Sequence, residues 1–476
     1  MQSTGRLHPS ALFRIVTAIA LLGLLLSACS PQKPMIPTAT LSAIASATPE
    51  LATATPTQMA DALGVDLAEL QGLQIHFMHP WMGSTRDELF RMVDEFNQNN
   101  EWGVFVIMDA AGSSGQLEQK AWLGLRNGDA VNVIAAPVNL LRALEEKSGA
   151  VADLNKYINS NPYAMTSEQV EDFDSSFWAG NQVDGKQLGI PAQETAAVLF
   201  YNSTWARELG FSAVPVTPEE LQEQVCAANR SMREDKDTSN DGLGGLLVRY
   251  DAATMYAWLM SFNANPLRQG EFLFNSPEAA TAFEFLVTLK NNSCAWSGKT
   301  AEPYEYFATR KALVYSGQMQ DISSQFAATN RAGSKDDWQI LPYPGVERPV
   351  TAVSGLSYGI LSKDAASDLA AWLFLRWLSA PGNQSRLGVT FGTLPLGKQS
   401  GALLHASSAL NPQWFNFIDS ENEYFLEPSA ADWIVVKPIL EDAGWQLFNS
   451  GMKVEEIPLI LKQMDDLAVE LSERYP

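Results

Sequence analysis

The chain has 476 residues, a formal net charge of −22, 46% hydrophobic and 10% aromatic content. A surface this acidic repels phosphate backbones, which argues against a nucleic-acid-binding role, and the apolar content is that of a folded domain. So long a chain exceeds what one hydrophobic core organises, which predicts two domains.

Arg6 and Arg14 precede an uncharged apolar run from Ile15 to Leu26. The run is short for a membrane span and suits the core of a signal peptide, residues 1–28. It ends in Leu26-Ser27-Ala28-Cys29, which resembles a bacterial lipobox. That resemblance implies diacylation of Cys29 and membrane attachment through lipid alone. Residues 29–70 are dominated by Thr, Ala, Ser and Pro up to about Thr57 and read as a flexible tether, with the globular body beginning near Leu70.

The body opens with alternating Leu73, Ile75 and Phe77, a strand ending at Pro80-Trp81. Leu89, Met92, Val93 and Phe96 then fall at helical spacing. Gly103–Met108 is a second strand, followed by a small-residue loop over 109–115 and a helix carrying Leu117 and Ala121. Val131–Ala135 is a third strand, and Leu140–Lys147 a helix. This alternation predicts an α/β fold with a parallel sheet, whose ligands collect at the carboxyl ends of the strands. Those ends place Trp81, Ser113, Ser114 and Asn139. Further on come a long strand (Leu188–Asn202), helices over Pro218–Arg233, Ala253–Phe262 and Glu278–Asn291, and strands at Leu313–Ser316 and Leu356–Ser362. Helices at Leu369–Leu378, Asp432–Asn449 and Val454–Arg474 complete the chain.

Four stretches, in order, carry a resemblance: IHFMHPWMGSTRDELFRMVDEFNQNN, GKQLGIPAQETAAVLFYNSTWARELG, ATRKALVYSGQM, and WQILPYPG followed by AVSGLSYGILSKDAASDLAAWLFLRWLSAPGNQ. They are similar to the family-1 extracellular solute-binding proteins, the maltose-binding-protein-like receptors of ABC importers. The resemblance implies a two-lobe periplasmic-binding-protein (type II) fold with a ligand cleft between the lobes. Lobe 1 would hold 72–194 and 356–408, and lobe 2 would hold 196–354 and 410–476. It also implies a small-molecule solute, a carbohydrate by preference, delivered by hinge closure to permease subunits and their ATPase by a monomeric receptor.

On that frame Trp81 reads as a flat platform for sugar C–H faces, or else as a staple under the following helix. Ser113 and Ser114 offer hydroxyls, and Asn139 a polar contact. Glu194 on the crossover strand can accept sugar hydroxyls or pair with a cationic ligand. Trp258 is either platform or core. Met319 stands where sugar-binding relatives often show an aromatic residue, a departure that weakens the claim for a long oligosaccharide. Ser354 and Gly355 resemble the second hinge, and Trp433 a stacking position. No Arg or Lys cluster accompanies them, which favours a neutral mono- or oligosaccharide over glycerol phosphate, with a polyamine as another alternative.

Cys226 and Cys294 form an even pair in an oxidising compartment, either one disulfide or two buried thiols. Asp235, Asp237 and Asp241 lie in an acidic loop that calcium could use. Its spacing is not that of an EF-hand and the terminal Glu is missing, so a solvated loop without metal is the reading. No HExxH, GxSxG, Walker or GxGxxG pattern is present, and no cofactor or enzymatic activity is expected. Carboxylates are plentiful, so an exported carbohydrate-active hydrolase is the alternative from another class.

Overall fold

The computed structural model describes residues 63–297, 303–406, 412–420 and 423–475. Cys29, the segment 1–28 and most of the 29–70 stretch lie outside the described residues. The folded body starts earlier than Leu70, however. Val65 and Leu70 are both buried in the main core, and Asp66 caps the short turn Leu67–Leu70 by accepting from the Ala68 N–H. Among the described residues no helix is long and apolar enough to cross a membrane.

Three parallel strands build the first half of the sheet: β1 (Gln74–His79), β2 (Phe105–Ala110) and β3 (Val133–Ala136), with β1 between the other two. β1 and β3 are covered on both faces, as crossover helices require. Ile75 and Phe77 point into a core shared with Trp372 and Phe374 of the helix Ala365–Leu378. Met78 and Ile134 meet Leu117 and Leu141 on the other face. The helix Ser114–Asn127 begins where the Ser113 hydroxyl accepts from the Gln116 N–H, and it ends at Gly128, whose left-handed φ of 77° suits glycine.

The long strand β4 (Ile190–Asn202) leaves this half and enters the other. There it pairs with β7 (Ala312–Gln318) on one edge and with β8 (Trp338–Leu341) on the other. β7 continues parallel to β5 (Gly244–Leu247), and β5 to β6 (Ala295–Trp296). The return strand β9 (Thr351–Ile360) runs antiparallel to β4 over Ile190–Ala196, then pairs with β3. β10 (Tyr424–Leu426) adds to the start of β9. One ten-stranded sheet, in the order β6-β5-β7-β4-β9-β3-β1-β2, thus runs through two α/β lobes, with β4 and β9 as the strands that cross between them. The second half has its own core around Trp258, Phe283, Tyr343 and Leu461.

Two further expectations are corrected. The return strand spans 351–360 rather than 356–362, so Ser354 and Gly355 lie inside it. The single helix foreseen over 432–449 is two, Trp433–Val436 and Pro438–Leu447, because Pro438 has no N–H to continue the ladder. Strands β5 and β8, and the helices Pro381–Phe391 and Lys398–His405, carry too few periodic residues to have been foreseen.

Cys226, on the helix Pro218–Arg233, is joined to Cys294 as a disulfide. Gly245 of β5 packs beneath it, where a β-carbon would stand 1.9 Å from the Cys294 carbonyl oxygen. In the loop over 235–242, the Asp235 and Asp237 carboxylates accept from their own loop's N–H, amide and hydroxyl groups. Among the described residues no group of three His, Cys, Asp or Glu is arranged to hold a metal.

Candidate functional site: the cleft at the crossover strands

Where β4 and β9 lie side by side, Glu194 is opposite Gly355 and Thr195 opposite Ser354. The register slips between Leu356 and Ser357, a local irregularity of the kind that re-aims side chains. Glu194 is only 6% exposed. Its carboxyl lies over Gly355, where a β-carbon would stand 2.0 Å from Oε2. Burial pushes the Glu194 carboxyl well above the ordinary carboxylate range, and the charges of Glu427 and Asp174 push it the same way.

Glu427 arrives from the end of β10. Its Oε2 accepts from the Trp433 indole N–H at 3.1 Å and from the Lys437 ammonium at 2.9 Å. Asp174 is engaged locally, capping the helix Ser175–Gly180 by accepting from the Ser176 N–H at 2.9 Å. Asn139 sits just beyond the carboxyl end of β3, in the first turn of the helix Val138–Ser148; it is 6% exposed, and its Oδ1 has no hydrogen-bond partner.

Side chains alternate along β4, so Glu194 faces one side of the strand pair and Gln193 and Thr195 the other. An inner depression of about 240 Å³ is lined by Asn139, Phe177, Asn181, Glu194, Ser357 and Glu427. An outer one of about 700 Å³ is lined by Trp81, Ser113, Ser114, Gln193, Gln320 and Lys437. The two share Pro137, Asn139, Ser354, Gly355 and Glu427, so they adjoin. Their walls come from strand ends of the first half, from both crossover strands and from the 427–437 segment.

Seven of the ten residues singled out from sequence therefore line this region: Trp81, Ser113, Ser114, Asn139, Glu194, Ser354 and Gly355. Trp81 does so differently from the reading as an open platform. It is 8% exposed and stacks on His79 and Phe391, with Phe77 and Tyr358 edge-on. Its indole N–H donates to Gln193 Oε1, so its ring surface is largely taken and an edge remains for the cavity.

Trp258, Met319 and Trp433 are corrected. All three are closed to solvent. Trp258 packs edge-on to Tyr343 within the second core, because its helix is apolar on every side. Met319 turns into the core from the end of β7. Trp433 stacks on Phe272 and reaches the site only through its bond to Glu427. Glu427, Lys437, Gln193 and Gln320 escaped sequence reasoning. Gln193 and Thr195, as neighbours of Glu194 on a recognised strand, were open to it; Glu427 follows a three-residue strand with no periodic signal.

Comparison with known proteins comes to the same frame. A family profile described as bacterial extracellular solute-binding protein matches residues 91–414. No curated protein matches the chain in sequence. Among solved structures, the sugar-binding protein MalE from Xanthomonas citri is similar at 17% identity and TM-score 0.69, covering 83% of this chain and 98% of that one. A cyclic alpha-maltosyl-1,6-maltose binding protein from Arthrobacter globiformis is similar at 16% identity and TM-score 0.68, covering 84% and 99%. An ABC substrate-binding protein from Listeria monocytogenes, solved in complex with cycloalternan, is similar at 17% identity and TM-score 0.66, covering 84% and 99%. At such identities the likeness is one of fold.

Proposed function

Because the chain belongs to the bacterial extracellular solute-binding proteins, we propose that it is the extracytoplasmic receptor of an ABC importer and captures a carbohydrate between its lobes. The observation that carries this reading is the crossover pair β4 and β9, which puts Glu194, Ser354 and Gly355 at the floor of a cleft walled by both halves of the chain. Ligand contacts made from both sides favour the closed over the open arrangement, which is what hinge closure requires. The structurally similar proteins are described as a cyclic alpha-maltosyl-1,6-maltose binding protein, a sugar-binding protein and a substrate-binding protein in complex with cycloalternan, which supports the sugar class.

In this reading Glu194, Glu427, Asn139, Ser354, Gln193 and Gln320 hold ligand hydroxyls, and Trp81 presents its edge. Lobe 1 comprises 72–194 with 356–408 and lobe 2 comprises 196–354 with 410–476. Residues 1–28 direct export, a lipid on Cys29 anchors the receptor, and it hands its solute as a monomer to permease subunits driven by an ATPase. No catalytic role is assigned to the carboxyl groups.

A thermal-shift screen of mono- and oligosaccharides, polyols, glycerol phosphates and polyamines tests the function. A saccharide that raises the melting temperature is the expected result; a hit confined to the non-sugars overturns the carbohydrate reading. Anchoring is checked by metabolic labelling with a fatty acid, which should mark the protein and be lost in Cys29→Ser.

A further inference from the structure

The inner depression is chemically one-sided. Its lining contains no Lys, Arg or His, while two carboxylates, Glu194 and Glu427, reach it. Of the three acids that interact there, Glu427 is neutralised by Lys437 and Asp174 is spent on capping a helix. Among the described residues no Lys, Arg or His pairs with Glu194, whereas burial and the neighbouring Glu427 and Asp174 all act against its charge.

Beside it, the buried Asn139 Oδ1 also lacks a donor. Ser354, Ser357 and Ser429 add hydroxyls around the rim, and Phe177 and Leu426 close the apolar side. Gly355 keeps the space that the Glu194 carboxyl occupies. A carboxylate taken out of water without a cation is costly, and the cost is relieved by a hydrogen-bonded positive group. An ammonium supplies three donors and one positive charge, whereas a sugar hydroxyl supplies one donor and no charge.

We propose that the inner depression receives a protonated amine of the ligand, so that the captured carbohydrate is an amino sugar or an oligosaccharide bearing one. This rests on the carbohydrate reading above and narrows it, away from the neutral sugar expected from sequence. The outer depression, which carries Lys437 beside Glu427 and the amides of Gln193 and Gln320, holds the neutral remainder of the ligand.

The test is isothermal titration of the full chain in detergent at neutral pH. The probes are D-glucosamine, N-acetyl-D-glucosamine and D-glucose, and the β-1,4-linked dimer of each. The amine should bind about tenfold or more tighter than both matched congeners, as a charge-assisted hydrogen bond to a buried carboxylate predicts. In Glu194→Gln that preference should fall to about twofold or less. The wild-type comparison needs no variant, so misfolding of Glu194→Gln leaves the test intact. Equal or tighter binding of the glucose congener overturns the amine subsite and leaves the carbohydrate reading standing. Binding of putrescine with no saccharide bound, or binding of none of the probes alongside a blank sugar panel, overturns both.

Discussion

Gly355 and Glu194 form the tightest residue-scale dependence in the cleft. A methyl group on Gly355 would meet Glu194 Oε2 at 2.0 Å and the Gln193 carbonyl oxygen at 2.5 Å, so either the carboxyl or the strand must move. Gly355→Ala should cost about 1–3 kcal/mol of stability in urea unfolding, the usual penalty for overpacking, and should weaken ligand binding as well. Glu194 also makes stability depend on pH. Its folded-state pKa is raised from 4.5, so its contribution is complete below about 4.5 and is lost as pH rises above that value. Glu194→Gln should therefore melt above wild type at neutral pH, with the gap closing below pH 4.5; a gap constant with pH would contradict the burial of this carboxyl without a cation. His79 acts in the opposite direction. Burial lowers its pKa from 6.5 to about 4, Asp109 opposing and Arg86 adding to the effect. The ring is neutral when folded, so its contribution is complete above 6.5 and is lost as pH falls toward 4. Melting curves from pH 7 to 4 should show this loss, of about 3 kcal/mol, and His79→Leu should flatten it.

At the scale of elements, the second half of the chain is held by the pairing of a helix with the strand layer beneath it. The disulfide spans 68 residues and ties the helix Pro218–Arg233 to the start of β6. Closing a loop of that length removes about 4 kcal/mol of unfolded-chain entropy in the simplest account. Replacing both cysteines by alanine should lower stability by about 2–4 kcal/mol. Ligand affinity should change little, because neither cysteine lines either depression of the cleft. The Trp433–Val436 turn has a different task. Its Trp433 indole, itself closed to solvent, and the ammonium of the following Lys437 both donate to Glu427, so this element positions a cleft carboxylate.

For the whole molecule, β4 and β9 are, among the described residues, the strands in which both lobes share one ladder, and the proposed closure would bend them. Saccharide binding should then reduce the radius of gyration in solution scattering and change tryptophan emission, for which the 13 Trp give ample signal. No change in either quantity at saturating ligand would contradict closure.

How much of this was readable without a structure differs by residue. The parallel βα units at 73–148 were legible because apolar spacing alternates between two and 3.6 residues there. The strand over 188–202 was legible from the apolar residues flanking Gln193-Glu194-Thr195, and its crossover role, with Glu194 on it, from the family resemblance. Burial of Trp258 and Met319 was not, since an aromatic or methionine on an apolar element has the same local pattern whether it faces a core or a cleft. Nor was the stacking of Trp81 on Phe391, which joins segments far apart in the chain. By itself the sequence determined the α/β class, the strand ends that line the cleft and the carboxylate on the crossover strand, because these follow from local periodicity, residue chemistry and the family resemblance. Only the tertiary structure decided which aromatics are core, that Glu427 joins Glu194 while Lys437 neutralises Glu427 alone, and that Gly355 makes room for an uncompensated carboxyl. Pairings of that kind depend on which distant segments the sheet brings into register, and no local pattern encodes them.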